Sequence, residues 1–172
     1  LVDSSNTANT IKAVGREGVV LKNFRVINAY GVEFTRDTGC LIDNLWVIKC
    51  GGNALILQTG SYNNVVSNCI SETSAYGIFV YTSSYNNTVK NNVVRGATSY
   101  GFLIHATVSG NRVLNNIAEY NNVTGFTLLN NTGPNGNILS GNISRSNQNH
   151  GFTIDNSIGE TLTMNSSYAN TG

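Results

Sequence analysis

A short phrase recurs along the chain at nearly fixed intervals, and that recurrence constrains the fold more than any other feature. A glycine followed by alternating apolar residues stands at Gly31, Gly77, Gly101, Gly125 and Gly151, with Asn53 in the same place in the remaining unit. The intervals are 22, 24, 24, 24 and 26 residues. A second landmark is an asparagine with an apolar residue three positions earlier. It falls at Asn23, Asn44, Asn68, Asn92, Asn116, Asn142 and Asn165, 21–26 residues apart. In four units a further asparagine, Asn63, Asn87, Asn111 or Asn137, stands five positions before the landmark.

The apolar segments inside each unit are three to five residues long with a period of two, too short for helices. Gly, Asn and Ser separate them and turn the chain. One such unit cannot bury its own apolar face, so successive units must stack. Stacked equivalent strands run parallel about 4.8 Å apart. The expectation is therefore an all-β solenoid, a single-stranded parallel β-helix of about seven coils spanning residues 1–172 as one domain. Equivalent side chains then form columns. The landmark asparagines Asn23, Asn44, Asn68, Asn92, Asn116 and Asn142 are expected to form one amide ladder at a turn, where asparagine tolerates a left-handed backbone. A leucine-rich repeat has a similar period, but needs regularly spaced leucines that this chain lacks.

Composition excludes several classes. Ten Lys and Arg against nine Asp and Glu give a net charge of +1, without the basic surplus a nucleic-acid binder needs. No apolar run approaches the ~20 residues of a membrane span. Recurrent Val, Ile, Leu, Phe and Tyr argue against disorder, and 28 asparagines with 18 glycines argue against a helical bundle. The chain starts at Leu1 and stops in mid-pattern, which reads as a segment of a longer secreted chain. Cys40, Cys50 and Cys69 are odd in number and lack metal spacing; Cys69 is expected in the core.

The segments 63–70, 87–94 and 111–118, each with its following Gly-apolar strand, resemble the parallel β-helix repeats of the pectate-lyase-like superfamily, and most of all its NosD-like, carbohydrate-associated branch. The resemblance covers about residues 18–168. It implies right-handed coils and a secreted protein that acts on or binds polysaccharide. It carries no active site with it: the catalytic Asp and Arg phrases of pectate lyases, the paired Asp set of polygalacturonases and the Asp-Pro-His segment of alginate epimerases are not found.

Counting from the glycine, positions +1 and +3 face inward. Positions +2 (Glu33, Leu55, Phe79, Leu103, Thr127, Thr153) and +4 (Thr35, Leu57, Tyr81, His105, Leu129, Asp155) face outward. Leu55, Leu57, Phe79, Tyr81, Leu103 and Leu129 would then form an outer apolar patch, the mark of an interface. The position before the glycine reads Tyr30, Gly52, Tyr76, Tyr100, Thr124 and His150. Its Tyr30, Tyr76, Tyr100 and His150 are candidates for stacking on sugar rings, or for a ladder that only stiffens a turn. Arg95, Glu119 and Arg145 suggest an exposed ion-pair column, and Lys22 over Asp43 a similar pair.

No catalytic residues are assigned. Glu72, Glu119, Asp155 and Glu160 lie in different columns or several coils apart, and His105 shares a column with Asp155 only across two coils. Glu33, Arg36, Asp37 and Asp43 make the early coils the charge-dense place. No metal site or cofactor is expected. Asn86, Asn122, Asn130, Asn142 and Asn165 begin glycosylation sequons, with Asn130 the best acceptor because it opens the loop 130–136 that lengthens coil six. The functional expectation is an extracellular or cell-surface building block, self-associating or contacting other surface proteins. The alternatives are a carbohydrate-binding module, or part of a polysaccharide lyase, hydrolase or epimerase.

Overall fold

The computed structural model describes residues 2–3 and 10–172. Among them every strand pairing is parallel, and no helix occurs. Two sheets wrap one interior. A seven-stranded sheet stacks Thr10–Val14, Gly31–Thr35, Asn53–Gln58, Tyr76–Tyr81, Phe102–His105, Phe126–Leu129 and Phe152–Asp155, one strand per coil. A thirteen-stranded sheet supplies the other sides. In it the early coils use single eight-residue strands, Val20–Ile27 and Leu41–Ile48, whereas later coils break at the same place into pairs such as Val65–Ser67 and Ile70–Glu72. The expected parallel β-solenoid of about seven coils is what the chain forms.

Register departs from the sequence reading at two places, each by one residue. In the seven-stranded sheet Leu55 pairs with Val32 and Ile78, and Leu57 with Phe34 and Val80. Ala54, not Asn53, therefore occupies the glycine column, because coil three carries an extra residue in Gly51-Gly52-Asn53. Leu55 and Leu57 point into the core at 1% exposure and leave the outer patch, which gains Ile56 instead. A one-residue shift moves every side chain of a strand to the other face. The column favours glycine because coils approach closely there: a Cβ on Gly77 would lie 2.4 Å from the Gly101 carbonyl oxygen.

The second departure concerns the landmark asparagines, which form two columns rather than one. Asn23, Asn44 and Asn68 continue through Asn91 and Asn115, all exposed at a bend with φ of 52–64°. The next column inward runs Phe24, Leu45, Cys69, Asn92, Asn116, Asn142 and Asn165. Asn92, Asn116 and Asn142 are wholly buried and form a true ladder. The Asn116 side-chain oxygen accepts from the Asn92 backbone N–H at 2.9 Å and from its amide at 3.0 Å. The Asn116 amide donates to the Val89 carbonyl at 3.0 Å and to Asn142 at 3.0 Å. All four hydrogen-bonding positions of the amide are used, which is why it can be buried at all.

Two more ladders repeat this geometry at the other interior corners. One runs Asn64, Asn87, Asn111 and Asn137 and ends on the Glu160 carboxylate, with Asn64 in the place the sequence reading gave to Asn63. The other runs Asn121, Asn147 and Asn170. Each starts beneath a small or apolar residue: Cys40, Cys69 and Ala97 donate their backbone N–H to the first asparagine, each at 2.9 Å. The three cysteines are buried and unbridged in the upper parts of these columns. Burial pushes the Cys69 thiol up to about 11, which keeps it protonated and unreactive.

Replacing Asn116 by Ala strands buried donors and acceptors on both neighbouring coils and is expected to cost about 3 kcal/mol. Asn115→Ala places a Cβ-limited residue at φ 54° on the surface and costs about 1 kcal/mol. Urea unfolding of both variants checks the order. Burial raises the Glu160 carboxyl above its ordinary value, outweighing the hydrogen bonds from Asn137. A group raised in the folded state stabilises it below its unfolded value, and that stability is lost as pH rises through the folded value. Glu160→Gln is accordingly expected to remove a decline in melting temperature between acidic and neutral pH.

Candidate functional site

The outer face of the seven-stranded sheet changes character along the solenoid. Its central outward column runs Lys12, Glu33, Ile56, Phe79, Leu103, Thr127 and Thr153. The first two form an ion pair at 2.7 Å. Burial works against the charge on Glu33, but hydrogen bonds from Lys12, Thr35 and Gln58 prevail and hold its carboxyl below the usual range. Ile56, Phe79 and Leu103 then make an apolar strip that is itself only 4–9% exposed. Aromatic neighbours lean over it. The Phe79 ring lies 5.7 Å from Tyr76, 4.8 Å from Tyr81 and 6.5 Å from His105. What meets solvent is the half-buried rim of Tyr76, Tyr81, Tyr100, His105 and Leu129.

Tyr76 and Tyr100 stack with centroids 6.1 Å apart. The ladder stops there, because Thr124 holds the same position in the next coil and His150 in the one after. Tyr30 stands apart at 50% exposure, separated from Tyr76 by Asn53, which replaces Gly52 in this column. The missing rung opens a cleft of about 200 Å³ lined by Tyr100, Thr124, Thr127, Leu129, His150, Thr153 and Asp155, with Val123 and Asn149 at its edge. Thr127 and Thr153 line it, but their hydroxyl oxygens are buried and without a hydrogen-bond partner, an uncommon state. Asp155 lies at the exposed side with no hydrogen bond or ion pair on its carboxylate among the described residues.

Several other charges have partners within the chain. Arg95 pairs with Glu72, and Arg145 with Glu119 at 2.6 Å, so the ion-pair column extends one coil further than Arg95, Glu119 and Arg145 alone. Lys22 is in register with Asp43, but that carboxylate accepts from Ser67 at 2.7 Å and Asn68 at 2.8 Å. Asp37 is fully buried and accepts backbone N–H groups of Arg16 and Thr35. Leu129 separates His105 from Asp155. Among the described residues no three His, Cys, Asp or Glu side chains gather as metal ligands would. Of the sequon asparagines, Asn86, Asn122 and Asn130 are exposed. Asn142 and Asn165 are not available, because both amides belong to the interior ladder.

Two features escaped the sequence reading. Tyr62 and Tyr85 stack at 4.9 Å with rings 2° apart, a pair signalled by the repeated Ser-Tyr-Asn-Asn at 61–64 and 84–87. On the thirteen-stranded sheet, a groove of about 340 Å³ surrounds Trp46 beside Asn23, Asn44 and Asn68. The Arg25 guanidinium, 4.3 Å over the indole, already occupies that ring face.

The sequence model for the right handed beta helix region matches residues 3–167. The chain belongs to this right-handed β-helix family. Three solved structures of the periplasmic alginate epimerase AlgG, two of them point mutants, are similar to it. Each is 16% identical, with TM-scores of 0.63, 0.67 and 0.61. They cover 94%, 91% and 94% of this chain, which spans 46%, 47% and 51% of theirs, about half their length. This likeness shows the parallel β-helix fold. No curated protein sequence matches the chain.

Proposed function

We propose that this right-handed β-helix domain binds polysaccharide along the outer face of its seven-stranded sheet, at an envelope or extracellular location. The observation that carries this reading is the cleft between Tyr100 and His150. The two rings occupy positions two coils apart, about 9.6 Å. A ring inserted midway would lie about 4.8 Å from each, within the spacing favoured by stacked rings. Thr124 keeps the slot open by contributing no ring, and the exposed Asp155 carboxylate at its side supplies a hydrogen-bond acceptor. A ring stacked in this way lies across the solenoid axis and enters the slot from the outer face, beside the Tyr76 and Tyr100 rim. The similar AlgG structures belong to an enzyme whose name gives a polysaccharide, alginate, as its substrate.

A protein-docking or self-association role draws less support from this face. Its apolar strip is covered by its own aromatic neighbours, and Leu55 and Leu57 lie in the core.

Affinity electrophoresis through gels containing a panel of polysaccharides tests the proposal. Retardation by at least one polymer is expected. Tyr100→Ala should weaken it about tenfold, roughly 1.4 kcal/mol. Thr124→Tyr should continue the ladder, close the slot and abolish retardation while leaving the fold intact by circular dichroism. Unchanged mobility of the native chain on every polymer would sink the reading.

A further inference from the structure

We infer that the glycan taken by the Tyr100–His150 slot is uncharged, a neutral hexose or pentose polymer rather than a uronate chain. This inference rests on the polysaccharide-binding reading. It follows from where the ten Lys and Arg residues of the chain fall. Lys12, on the same outer face, is paired with Glu33 at the opposite end of the sheet from the slot. Arg16 and Arg36 sit at turns leaving the first two strands of that sheet. The remaining seven, Lys22, Arg25, Lys49, Lys90, Arg95, Arg112 and Arg145, lie on the thirteen-stranded sheet or its bends. No guanidinium or ammonium group therefore stands on the outer face from Ile56 to Thr153.

The slot itself carries charge of the wrong sign for a uronate. Asp155 contributes a carboxylate with no Lys or Arg beside it, and the other polar residues lining the slot are Tyr100, Thr124, Thr127, Asn149, His150 and Thr153. A uronate carboxylate entering this space would lose water without gaining a counter-charge, and would face Asp155 across the cleft. Sugar hydroxyls meet the opposite situation. They donate to the exposed Asp155 carboxylate, while the ring's C–H face lies against Tyr100.

The test uses the intact chain in affinity gels containing neutral polymers (glucan, mannan, xylan, galactan) or uronates (alginate, polygalacturonate). Retardation by a neutral polymer, insensitive to added salt, is expected, with no retardation by uronates. Asp155→Lys, an exposed substitution, is expected to bring in salt-sensitive uronate retention. Retardation of the native chain by uronates but by no neutral polymer would overturn this inference and leave the polysaccharide-binding reading standing. No retardation by either class would overturn both.

Discussion

The buried asparagine amide is the interaction on which this solenoid depends. Backbone pairing alone fixes the spacing between coils but not the path of the chain across the interior corners, where strands end and carbonyl groups would be left unpartnered. Each ladder asparagine fills such a corner. A middle rung such as Asn116 accepts from the backbone and amide of the coil before, donates to the Val89 carbonyl there, and donates to the amide oxygen of the coil after. The same side chain thus satisfies the corner and locks neighbouring coils in register. A serine or threonine has only one donor to offer, and aspartate has none when ionised.

With the interior fixed in this way, the outer surface becomes a set of straight columns whose chemistry is free to vary. The central outward column passes from an ion pair through an apolar strip to two threonines within seven coils, on one unchanging backbone frame. The slot beside Tyr100 needs no special loop and no strained residue. It arises because a ladder of rings is interrupted by one threonine and resumes with a histidine. Binding chemistry in such a fold resides in departures from the column pattern, and the frame makes each departure rigid.

The period, the parallel stacking and most inward positions were legible in the sequence, since a 24-residue recurrence with alternating apolar residues admits few folds. The errors came from single residues in turns. Asn91-Asn92 and Asn115-Asn116 each offer two asparagines, one for the left-handed bend and one for the ladder, and only the hydrogen bonds distinguish them. Gly51-Gly52-Asn53 hides an added residue, so Ala54 takes the glycine position and the neighbouring leucines reverse sides. The column containing Tyr100, Thr124 and His150 could be written from sequence, but the orphaned Thr127 and Thr153 hydroxyls could not, because being unpartnered is a property of packing.

The interior corners also change composition along the axis. The early coils fill them with Val19, Phe24, Leu45, Ala29 and three cysteines, the later coils with asparagine. Apolar burial weakens on cooling, whereas hydrogen-bonded contacts do not share that heat-capacity signature. The corners of the leading coils thus draw on a contribution that fades on cooling, and those of the trailing coils on one that does not, although apolar side chains such as Phe102, Phe126 and Leu139 fill the interior of both.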